Sequence, residues 1–68
     1  MEQIGNISFE DLDTHDEAVI LVRAREDRIA MSVSLKEDGD VEVFLKPSDC
    51  EHLVDLLRQA IKTSQPRQ

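Results

Sequence analysis

Aromatic side chains are almost missing from this 68-residue chain, which has no Trp, no Tyr and two Phe, Phe9 and Phe44. That leaves little from which to build the base-stacking platforms of single-strand nucleic-acid binders. Cysteine occurs once, as Cys50, so no internal disulfide can form. With only His15 and His52 beside it, no Cys/His pair has the spacing of a zinc site. Two glycines, Gly5 and Gly39, are too few for a Gly-rich phosphate cradle. Basic residues number 8 against 15 acidic ones, and the net charge of −7 disfavours non-specific contact with phosphate backbones or anionic lipid. The longest apolar run, Ala18–Val22, falls far short of the roughly 20 residues a membrane span needs. The segment Met1–Asn6 has neither the basic stretch nor the apolar run of a signal peptide, so no membrane partner is expected and the cytoplasm is the expected compartment.

The length allows one small domain, and a chain of this size buries only roughly 60% of the surface it exposes when unfolded. Domains below about 70–80 residues commonly rely on a disulfide, a metal or a second subunit. With the first two lacking support, a homo-oligomer, most simply a dimer, is the expected device.

Alternation of apolar and polar residues supplies the architecture. Glu17–Arg25 is Val/Ile-rich and reads as a strand; Arg28–Lys36 alternates strictly; Asp40–Lys46 alternates again. Glu26-Asp27 and Glu37-Asp38-Gly39 read as the turns between them. A three-residue turn with Gly39 left-handed pairs Lys36 with Asp40 and keeps the apolar faces of the two strands together. Ser48-Asp49-Cys50-Glu51 has the form of a capping box, with Ser48 as the N-cap. Beyond it Cys50, Leu53, Val54, Leu57, Ala60 and Ile61 make one helical stripe. The predicted fold class is α+β: a three-stranded antiparallel meander packed on one C-terminal amphipathic helix, in β-β-β-α order. Residues 1–16 read as a partly docked N-terminal arm, in which Ile7-Ser8-Phe9 admits a short fourth strand. Residues 17–62 form the core domain, and 63–68 read as a disordered tail.

In this register Ala18, Ile20, Val22 and Ala24 share the core face with Ile29, Met31, Val33 and Leu35, beneath the helix. The opposite face carries Val19, Leu21, Ala30, Ser32 and Phe44, and is the predicted interface, because a sizeable apolar patch on a surface marks an interaction site. Covering by the N-terminal arm, by a second copy or by a foreign protein would each satisfy it. Arg23, Arg25 and Arg28 gather at one end of that face as a candidate charged contact. Pairing with Glu26, Asp27 and Glu42 accounts for them better than nucleic acid does, because nucleic-acid binders usually carry a basic footprint.

Chemistry-bearing residues are few. Asp11, Asp13 and His15 have the spacing of the first ligands of a calcium loop, but Asp16 stands where the loop needs Gly and Val22 where it needs Glu. A solvated acidic loop fits better. His52 lies off the helical stripe and has no metal-ligating neighbour at helical spacing. Cys50 fits the buried stripe, as free cysteines commonly do, and His52 is on the wrong helical face to act as its base. No catalytic residue, cofactor or metal ligand is therefore assigned. The expected function is a small non-enzymatic protein-binding or adaptor module, homodimeric through the outer sheet face or an edge strand. The alternative is an acidic inhibitor or immunity-type protein that occupies a basic site on a protein target, including by mimicry of nucleic acid.

Overall fold

Four segments of the chain become antiparallel strands, of which Arg28–Leu35 alternates strictly and Glu17–Arg25 carries the apolar run Ala18–Val22. The computed structural model describes residues 1–37 and 39–65. Strand β1 (Glu2–Glu10), β2 (Glu17–Arg25), β3 (Arg28–Leu35) and β4 (Gly39–Leu45) form one sheet in the order β1-β2-β3-β4, followed by helix α1 (Pro47–Ser64). The class is α+β, with a four-stranded meander in place of three strands. The N-terminal arm is nine residues of edge strand, paired with β2 from Glu2↔Ala24 to Glu10↔Glu17. A register shift between Gln3 and Gly5 marks a bulge at Ile4. The arm is thus docked edge-on and does not fold over either face.

The β2–β3 hairpin has the predicted two-residue turn, with Arg25 opposite Arg28. The β3–β4 pairing differs from expectation by two residues. Leu35 lies opposite Gly39, Val33 opposite Val41 and Met31 opposite Val43. A two-residue slip leaves every side chain on its original face, so the apolar pattern does not discriminate between the two registers. The Lys36 amide donates to the Glu17 carbonyl at 3.1 Å and so continues the β2–β3 ladder by one residue. Gly39 adopts φ +82°, the left-handed conformation expected of it.

Helix α1 begins two residues earlier than the capping box implies. Pro47 occupies the first turn, where its fixed φ is preorganised for a helix, and this draws Ser48 inside. Lys46 is the N-cap, with no side-chain capping bond. Its carbonyl accepts from the amides of Asp49 (3.0 Å) and Cys50 (3.2 Å). At the other end Thr63 and Ser64 remain helical, their hydroxyls donating to the carbonyls of Gln59 and Ile61. Residues 66–68 of the predicted tail, and Asp38 of the predicted turn, lie outside the described residues.

The largest departure concerns packing. The stripe of α1 was expected to lie on the core face of the sheet. Instead the helix makes its main strand contact with β3, and none of its residues is buried. Only Cys50 and Leu53, in its first two turns, are half-buried; Val54, Leu57 and Ile61 are exposed. Lys46 alone separates β4 from α1, whereas connections in α/β units commonly have about 2–6 residues.

Candidate interaction surface

Strand register assigns every side chain to one of two faces. The apolar face collects Ile7 and Phe9 from β1, then Ala18, Ile20, Val22 and Ala24 from β2. To these it adds Ile29, Met31, Val33 and Leu35 from β3, and Val41, Val43 and Leu45 from β4. Among the described strand residues, Glu2, opposite Ala24 at the corner of the sheet, is the one charged residue on this face. Its only buried member is Ala18, 2% exposed between Phe9 and Leu35, whereas Ile7 (60%) and Val41 (61%) stand in solvent. Gly5 faces Val22 across the β1–β2 ladder, and the missing side chain leaves a depression of about 250 Å³ lined by Ile4, Gly5, Asn6, Ile7, Ile20 and Val22.

The opposite, mixed face carries the residues predicted to form the interface. Val19, Leu21, Ala30, Ser32 and Phe44 do share it, together with Arg23, Arg25 and Arg28. Ala30, however, is 1% exposed, bracketed in register by the larger Arg23 and Phe44, and has no surface to offer a partner. The centre of this face is polar. Glu42 accepts from the Ser32 hydroxyl at 3.0 Å and pairs with the Arg23 guanidinium. The Ser32 hydrogen bond first, and Arg23 second, hold the Glu42 carboxyl below the usual carboxylate range. Arg28 lies 3.6 Å from Asp27, and Arg25 is exposed beside it at the hairpin end. Two of the three arginines thus have carboxylate partners within the chain, as the pairing interpretation requires. On β1 the same face presents Gln3, Asn6 and Ser8. Of the two faces, the one meant for the helix is therefore the more apolar.

Register also sorts charge along the strands. The β1–β2 and β3–β4 turns lie at one end of the meander, so Glu10, Asp11, Asp13, Asp16, Glu17, Glu37 and Asp40 gather there with Lys36, which lies 3.8 Å from Glu17, while Arg23, Arg25, Arg28 and Lys46 lie towards the other, where Glu26 and Asp27 form the turn. Asp11 organises the acidic turn. Its carboxylate accepts from the amides of Asp13 (2.8 Å) and Thr14 (3.1 Å), its amide donates to the Asp16 carbonyl, and its carbonyl accepts from the His15 amide. The Thr14 and Asp13 amides lower the Asp11 pKa. His15 takes φ +67°, and its Nδ1 lies 2.8 Å from Glu10. The carboxylate that would begin a calcium loop is thus engaged by backbone N–H groups. Cys50 is half-buried and His52 exposed on α1. Among the described residues no helix is long and apolar enough to cross a membrane.

No family model, curated protein or solved structure matches this chain.

Proposed function

We propose that the protein is a small, non-enzymatic, homodimeric binding module whose apolar sheet face is the dimer interface. The observation that carries this is the amount of surface left open. A folded monomer of 7.8 kDa exposes about 4,400 Å²; this chain exposes 5851 Å². Its radius of gyration is 13.8 Å, against about 11 Å for a folded domain of this length. The excess, about 1,500 Å² per chain, amounts to about 3,000 Å² for a pair, within the roughly 2,000–5,000 Å² range of obligate homodimers. An apolar face of this extent left in water would also drive aggregation, which self-association prevents. Sedimentation equilibrium at micromolar concentration tests the proposal. A species of twice the 7.8 kDa chain mass is expected, and a single-chain mass at all concentrations refutes it.

The acidic end supports a second reading, in which the module presents carboxylates to a basic site on a protein target. Seven acidic side chains from two neighbouring turns converge there, and Asp11 fixes the shape of the first turn. Capture of a lysate protein that releases as salt is raised supports it. Retention unchanged by salt counts against it and favours an apolar contact.

A further inference from the structure

The depression over Gly5 answers no need of the single chain. Gly5 does not take the left-handed conformation that reserves a position for glycine, and a Cβ built on it meets nothing within 4 Å. A glycine inside a strand often marks a bulge, such as the one beside it at Ile4, or a place where a ligand or another backbone approaches closely. The walls of the depression, Ile4, Ile7, Ile20 and Val22, are the right chemistry for an aliphatic side chain.

The chain also holds the matching half. On α1, Val54, Leu57 and Ile61 continue the stripe begun by Leu53, and all three are exposed. A helix of 18 residues is about 27 Å long, and four strands spaced about 4.8 Å apart span about 14 Å, so α1 is long enough to cross every strand of such a sheet. A helical stripe and a sheet face are the two halves of one α+β core, and within a chain Lys46 alone links helix to sheet.

We infer that the dimer forms by reciprocal helix exchange: α1 of each copy lies across the apolar sheet face of the other and seats a large stripe residue over Gly5. This rests on the homodimer reading above. Direct stacking of two sheets would leave both helical stripes in water. Exchange fills the Gly5 depressions with them. It does so twice about a two-fold axis, as an isologous contact requires.

Sedimentation equilibrium of the full chain and of three variants tests the inference. Leu57→Asp places a charge on the stripe. Gly5→Val fills the depression with a residue that suits a strand. Phe44→Ser alters only the mixed face. The first two are expected to weaken the dimer on the order of a hundredfold, as loss of a central anchor does, and Phe44→Ser to leave it unchanged. A wild-type dimer that neither Leu57→Asp nor Gly5→Val weakens overturns helix exchange and leaves the homodimer standing. A wild-type monomer overturns both. Disulfide trapping keeps the test decisive if dissociation and unfolding coincide. In a Cys50→Ser background, chains carrying Ile7→Cys are mixed with chains carrying Leu57→Cys. Disulfides between unlike chains support exchange; disulfides confined to pairs of Ile7→Cys chains indicate stacked sheets and overturn it.

Discussion

Glu42 is the residue that links the strands of the mixed face electrostatically, since it joins Ser32 on β3 and Arg23 on β2 from its place on β4. Its pKa is lower folded than unfolded. The stabilisation it provides is therefore complete above the unfolded value, near about 4.3, and is lost as pH falls through the lowered folded one. Glu42→Gln is expected to be less stable than the wild type at neutral pH, and the difference to shrink as the solution is acidified through that range. Urea unfolding at matched protomer concentrations across the range checks this; a difference independent of pH would show that the carboxylate is not the source. Asp11 makes a parallel case in the β1–β2 turn. Asp11→Ala removes the acceptor of two backbone amides, Thr14 and Asp13, so a lower thermal midpoint and faster amide exchange at both positions are expected. Neither role is visible in spacing alone. Asp11 was read as one acid among several in a solvated loop, and its part depends on a turn geometry in which His15 takes a positive φ.

At the scale of the element, turns and caps set the cost of local change. Gly39 sits at φ +82°, where a side chain costs roughly 1–2 kcal/mol. Gly39→Ala is expected to lower stability by about that amount in denaturant titration. Helix α1 offers the reverse opportunity. Lys46 caps it with no side-chain hydrogen bond and puts a positive charge at the positive end of the helix dipole. Lys46→Asp is expected to stabilise the protein by about 0.5–2 kcal/mol, the usual worth of a good N-cap. An unchanged denaturation midpoint would mean that the first turn is held by Pro47 and the β3 contact alone. The cap was misplaced in the sequence because Ser48 and Glu51 satisfy the capping-box pattern, while the pattern carries no term for the proline immediately before it.

For the whole molecule, charge and shape make opposite demands on assembly. Two chains of −7 bring a combined charge of −14 together, so repulsion opposes the dimer and salt screens it. An apolar interface is accordingly expected to tighten several-fold as ionic strength rises from low to physiological. Sedimentation across a salt series measures this, and a dimer that loosens with salt would point instead to an ion-paired interface. The single chain, thin and elongated at 43 × 29 × 15 Å, has the shape of a layer awaiting its second layer.

Strands β2, β3 and β4, their order, the β2–β3 turn, the left-handed glycine and the identity of the two faces are determined by the sequence alone. Each follows from a period-two pattern or from a local steric rule that acts within a few residues. Three things were decided only by tertiary structure. Whether Ile7-Ser8-Phe9 extended into a full edge strand depended on β2 being available to pair with it along its length. The β3–β4 register was left open by the pattern, because a slip of two residues preserves every face. Which face stays open depended on the direction in which α1 leaves β4. An amphipathic stripe records that a helix has something to cover, but it does not record whose sheet it covers. Of the stripe of α1, Cys50 and Leu53 are half-buried, while Val54, Leu57 and Ile61 stay exposed.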